Sequence, residues 1–314
     1  QSRLAEMKDD YAWLRENVLD AAPDVFPADV FSWDAYVEAH AVAFSRCSIL
    51  ASGDEVRPAL VPLIDLANHD GSEAGPSARI SLEEAKSGPF GKGKGPACVS
   101  LVANRDMSEG AAVCVRYGGE TGGDLLVDYG FADSRAPPLA ALEFFIDEED
   151  ANYDDKCDVL ENEAGLSVAQ PWVLSALQPE PPQELLAFLR LVHLGAADAF
   201  LLEGIFRQVL WQEHLQLPVS KSNEETALND ALDRCKQAVA GFAGSLQSDL
   251  GTLADADPGS PRYNLATVRY SERRALEAAA RWFEAQLEQL GELEYYQERR
   301  LRLLGLEPIE TEEE

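Results

Sequence analysis

The chain has 314 residues and a formal net charge of −30, long enough for two domains of ordinary size and strongly acidic. That charge argues against nucleic acid, whose phosphates need a basic surface, and against anionic membrane surfaces. Hydrophobic residues at 46% argue against global disorder and make a packed core feasible.

Tyr11, Leu14 and Val18 recur at helical spacing, so residues 3–20 are expected to form an amphipathic helix. Pro23 and Pro27 bound a loop, and residues 31–50 read as a second helix with Phe31, Ala35, Ala39, Val42 and Ala43 on one side. A polar loop over 52–57 follows. Residues 59–67 make an apolar, strand-like run in which Pro62 marks an irregular or edge position. Residues 86–96 are a Gly- and Lys-rich insertion. It is no phosphate loop, because Lys-Ser or Lys-Thr never follows the required glycine spacing. Two β-rich runs, 98–103 and 111–117, are joined through 105–110, the signature of a hairpin. Residues 125–128 fit a helix or an extended segment equally.

Pro137-Pro138 reads as a hinge, after which an apolar run (139–146) precedes an acidic loop (147–158). From Pro182 onward the pattern is nearly all helical. Leu185, Leu186, Phe188, Leu189 and Val192 mark one buried helix, and 200–210 is apolar on most faces, as in the centre of a bundle. Ser222 and Glu225 read as a capping box for a helix carrying Leu228, Leu232, Cys235, Val239, Phe242 and Leu246. A last long helix follows Tyr263, with Val268, Leu276, Phe283 and Leu287 inward. The acidic residues of 310–314 read as a frayed tail. Five scattered cysteines without a C-x-x-C pair fit a reducing compartment and argue against a zinc cluster.

Chemistry gathers at two edges of ordered backbone. Asn68-His69 directly follows an apolar run, and Tyr129 directly precedes Gly130-Phe131. Taken singly, an Asn-His pair is a turn and Tyr-Gly is common at strand ends. In this order and spacing they resemble the C-terminal half of the SET methyltransferase domain, in the variant found in Rubisco large-subunit lysine methyltransferases. The resemblance extends into the second half of the chain through Tyr153-Asp154-Asp155-Lys156, residues 185–194, 198–203 and 219–225.

The resemblance implies an α+β fold: a helical insertion of the SET domain (1–45), its β-rich C-terminal segment (46–136), and an all-α substrate-binding domain (137–314). It also implies a monomeric S-adenosylmethionine-dependent protein-lysine N-methyltransferase acting on a protein of the chloroplast stroma, Rubisco large subunit or fructose-bisphosphate aldolase. The alternatives are a SET-derived binding module without activity, or a methyltransferase for a lysine or histidine of a cytoplasmic protein. Carried over by position, Arg46 pairs with the cofactor's carboxylate, a contact suited to the guanidinium fork. Asn68 and His69 bind its amino-acid and adenine ends through side-chain and backbone groups. Tyr129 is the catalytic tyrosine, Tyr117 lines the lysine channel, and Ser45 and Asp65 lie near the substrate amine. No metal is implied. Two departures stand out. Where the family places an aromatic residue after Tyr-Gly-Phe, this chain reads Ala136-Pro137-Pro138-Leu139. The Gly-x-Gly segment that opens a complete SET domain has no counterpart in context, Gly91-Lys92-Gly93 being in the insertion, so a fragment or truncated gene is expected.

Overall fold

The computed structural model describes residues 2–52, 55–83, 98–118 and 121–306. The insertion read at 86–96 and the acidic tail at 310–314 lie outside them. The chain divides into two compact units, one of Gln1–Gly118 with Val127–Gly130, the other of Gly119–Leu126 with Phe131–Glu314.

The first unit opens with α1 (Ser2–Leu14), which runs into a π-helical turn at Arg15–Leu19. Helix α2 (Trp33–Arg46) follows, capped by Ser32, whose Oγ accepts the Ala35 N–H. Rings mesh between the two helices, with Tyr11 5.4 Å from Trp33 and 5.3 Å from Tyr36. The helix expected to reach residue 50 stops at Arg46. Beyond it β1 (Ser48–Ser52) pairs antiparallel with β2 (Glu55–Ala59), so the expected polar loop is a strand pair. Ile49 is β-branched and suits a strand better than a helix end.

Residues 59–67 do not form a strand. The chain turns through a 3₁₀ segment at Ile64–Leu66 and only Asn68–His69 is extended (β3). The expected hairpin is also replaced. Strand β4 (Ala78–Glu83) pairs antiparallel with β5 (Cys98–Ala103), and β6 (Cys114–Val115) pairs parallel with β3. Helix α3 (Gly122–Tyr129) resolves the open reading of 125–128 in favour of helix. Thr121 and Asp124 cap it reciprocally, Thr121 N–H donating to Asp124 and Asp124 N–H to Thr121 Oγ1.

The second unit, expected to be all-α, carries an antiparallel pair, β7 (Leu139–Phe145) and β8 (Ala169–Ser175), with helix α4 (Tyr153–Val159) between them in sequence. The acidic stretch expected to be a loop therefore ends in a helix. Its Lys156 is buried, and Nζ donates to Asp150 at 2.6 Å and to the Val192 carbonyl at 2.8 Å. Helix α5 (Gln183–Val192) carries the buried stripe its sequence shows. The 200–210 run is broken: a 3₁₀ segment ends at Leu202, α6 is Gly204–Val209, and Ile205 is 80% exposed.

Helix α7 (Lys221–Gly241) is capped by Ser220, not Ser222, and ends before Leu246, which starts α8 (Leu246–Asp255). Helix α9 (Pro261–Glu288) places Val268, Leu276 and Phe283 in the interior, and α10 (Tyr296–Leu303) closes the described chain. One hydrophobic cluster joins Ala140, Phe144, Trp172, Phe188, Leu228 and Phe283. Across it Arg190 holds Glu224 through two buried hydrogen bonds at 2.7 and 2.8 Å. A buried charge is tolerable only with such pairing.

Candidate active site

The first unit contains a cleft of about 350 Å³ where the end of α2, the 3₁₀ turn, β4, β6 and Tyr129 converge. Five of the residues singled out by sequence line it: Ser45, Arg46, Asp65, Tyr117 and Tyr129. Arg46 sits in the last turn of α2, where the helix dipole favours a cation. One of its Nη atoms donates to the Asp65 carbonyl at 3.0 Å, and among the described residues no carboxylate pairs with it. Ser45 Oγ donates to the Val42 carbonyl at 3.3 Å.

The two tyrosines form the other wall. Their ring centroids are 4.7 Å apart, tilted by 35°. Tyr117 donates its hydroxyl to the Ala67 carbonyl at 2.8 Å and its backbone N–H to His69 Nδ1 at 3.0 Å. Tyr129 ends α3, and Gly130 at φ +79° breaks the helix immediately after it. Burial raises the Tyr129 pKa above 10.0, against the opposing pull of a hydrogen bond from the Gly118 backbone. Burial likewise raises Tyr117, with Arg46 pulling the other way. Both phenols are therefore held protonated at neutral pH.

Asn68 is exposed and does not line the cleft, and neither does His69, which stands behind Tyr117 with its ring 5.2 Å away. Sequence reading passed over Cys47 and Gly118, both in the lining. Cys47 could have been found as the neighbour of Arg46. Gly118 carried a weaker signal, the glycine after Tyr117. A Cβ at Gly118 would lie 3.6 Å from the Tyr129 hydroxyl.

The cleft suits a ligand with a carboxylate at one end, opposite Arg46, and an apolar or cationic body against the aromatic wall. A family profile described as Rubisco LSMT substrate-binding matches residues 147–276. The chain is 32% identical over 309 residues to the chloroplastic ribulose-1,5-bisphosphate carboxylase/oxygenase large subunit N-methyltransferase of Nicotiana tabacum, covering 96% of this chain and 60% of that one. It is 31% identical over 304 residues to the chloroplastic [fructose-bisphosphate aldolase]-lysine N-methyltransferase of Arabidopsis thaliana, with the same coverages. It thus spans about 60% of the length of these curated relatives. A crystal structure of the SET domain of LSMT bound to lysine and AdoHcy superposes with a TM-score of 0.77 at 30% identity, covering 99% of this chain and 68% of that one. The chain belongs to the Rubisco LSMT family of SET-domain proteins, with an α+β fold and that family's helical substrate-binding domain following its SET segment in the sequence.

Proposed function

We propose that the protein is an S-adenosylmethionine-dependent protein-lysine N-methyltransferase of the chloroplast stroma, acting as a monomer on Rubisco large subunit or fructose-bisphosphate aldolase. The observation that carries this reading is the single cleft shared by Arg46 and the Tyr117–Tyr129 pair. The names of the relatives supply the substrate class and the compartment. The donor set fits the cofactor in part: Arg46 offers guanidinium N–H groups to its carboxylate, whereas Asn68 and His69 lie outside the cleft lining.

When bound, S-adenosylmethionine supplies a sulfonium methyl group open to in-line attack. The chain's own residues must deliver a neutral amine to it. Lysine has a pKa near 10.4, so deprotonation at neutral pH costs roughly 4–5 kcal/mol. Ile64, Ile80, Val115 and the two tyrosine rings line the cleft and withdraw water from the amine, which lowers that cost. Asp65, also in the lining, attracts the ammonium on arrival. Ser45 and Tyr117 define the channel, and Tyr129 orients the amine through its hydroxyl, a proximity effect that needs no strong base.

The test is to incubate the protein with methyl-labelled S-adenosylmethionine and stromal extract. Label on a lysine of either substrate, located by mass spectrometry, is expected. Confirmed cofactor binding without label, or label on histidine, overturns the proposal.

A further inference from the structure

We infer that the imidazole of His69 is a positioning residue, which fixes the two tyrosines of the cleft by holding the Tyr117 backbone, and that it is not a side-chain ligand of the cofactor. The kinetic part of this inference rests on the function proposed above; the hydrogen bond itself does not.

The strand pairing that should hold Tyr117 is short. Among the described residues only Asn68–Cys114 and His69–Val115 are in register, extended by one bond from Asp70 N–H to the Val115 carbonyl at 3.0 Å. Tyr117 lies two residues past the last paired position. Its N–H finds a side chain where a longer strand would offer a carbonyl: His69 Nδ1, at 3.0 Å. The same segment takes the other end of the residue, since Ala67 accepts the Tyr117 hydroxyl at 2.8 Å. The imidazole also meets the Tyr117 ring edge-on, 5.2 Å away at 61°. Tyr117 is thus clamped at its backbone, ring and hydroxyl by residues 67–69, and its ring in turn abuts Tyr129 at 4.7 Å. Because Nδ1 accepts a hydrogen bond, the neutral ring carries its proton on Nε2.

Three substitutions separate the roles. His69→Asn keeps an acceptor at the Nδ1 position. His69→Phe keeps a ring without an acceptor, and His69→Ala removes both. Phe and Ala should lower kcat by about tenfold to a hundredfold, the cost of a misplaced group. Calorimetric affinity for S-adenosylhomocysteine should hold within roughly threefold, well short of losing a direct hydrogen bond to a charged ligand. Asn should recover most of the lost turnover. Asn behaving like Ala, or affinity falling in step with turnover, overturns the inference. Nitrogen-15 NMR of the unmodified chain tests the hydrogen bond with no substrate present: Nδ1 should be the unprotonated ring nitrogen, and the Tyr117 amide should be protected from exchange. A proton on Nδ1 overturns the inference even if the protein is an active methyltransferase. An unprotonated Nδ1 in a protein without methyltransferase activity leaves the clamp standing and removes only the proposed function.

Discussion

Tyr129 and Arg46 occupy one cleft yet are asked to do different things, and substitution separates them. Tyr129→Phe deletes a hydroxyl and leaves the ring against Tyr117 at 4.7 Å. Cofactor affinity should stay nearly unchanged while turnover falls by about 10²-fold, since positioned groups of this kind contribute roughly 3 kcal/mol. Arg46→Lys keeps the charge but loses the planar fork, and should weaken S-adenosylhomocysteine binding by about tenfold, the worth of one charge-assisted hydrogen bond. Calorimetry beside initial rates decides. Equal losses of affinity in both variants would mean that Tyr129 serves binding alone. A second prediction concerns acid. Burial pushes the Asp230 carboxyl up, but hydrogen bonds from His193 and Arg234 outweigh it and hold the folded pKa below 3.8. A folded pKa below the unfolded one stabilises the fold fully above the unfolded value, and this contribution is lost as pH falls through the folded one. Urea midpoints of wild type and Asp230→Asn should therefore differ steadily at neutral pH and converge as pH falls through the folded carboxyl's pKa. A gap that persists at low pH would assign the effect to packing.

The elements explain which parts of the fold could be read in advance. Helical stripes such as Leu228, Leu232 and Cys235 are local, repeating every 3.6 residues, and the structure buries them as read. Strand pairing is not local. Strands β4 and β5 meet across the insertion, and the two-residue pair of β3 with β6 joins segments about 45 residues apart, so nearest-neighbour reasoning supplied a hairpin instead. In the cleft, Ser45, Arg46, Asp65, Tyr117 and Tyr129 were singled out through a family resemblance in their order along the chain, while Asn68 and His69, read the same way, do not line it. Cys47 and Gly118 were not singled out, because a small residue in a wall has no pattern. The cap of α7 makes the limit testable. Ser222 with Glu225 has the better motif, but Ser220 makes the bonds, accepting the Asn223 N–H at 3.1 Å and donating to Asp198 at 2.5 Å. Ser220→Ala should cost about 1 kcal/mol or more, and Ser222→Ala less than about 0.5 kcal/mol. Chemical denaturation with matched m-values checks both, and the reverse ranking would restore the sequence motif.

On the scale of the whole molecule the two units bury apolar surface very unequally. The cluster running from Ala140 to Leu290 belongs to the second unit, with Leu185, Phe188, Leu189 and Phe283 fully enclosed. In the first unit the buried apolar side chains among the described residues are Leu19, Ala78 and Val115, while Trp13 is 63% exposed, Ile49 65% and Leu63 81%. Each fully buried Leu or Phe contributes about 1.5–3 kcal/mol, so the first unit should be the weaker by a wide margin. Thermal unfolding of this chain should therefore occur in two steps, the first exposing Trp33, the second Trp172, Trp211 and Trp282. Brief proteolysis between the steps should leave a fragment that begins near Gly119–Phe131. The cleft lies wholly in the weaker unit, which adds a condition. A ligand that binds only the folded form stabilises by RT ln(1 + [L]/Kd), so S-adenosylhomocysteine at about 100 times its Kd should add roughly 2.7 kcal/mol. That gain should move the first transition upward and leave the second where it was. Calorimetric scans with and without ligand decide it: one merged transition, or a shift confined to the second, would place the binding energy outside the unit that holds Arg46 and Tyr129.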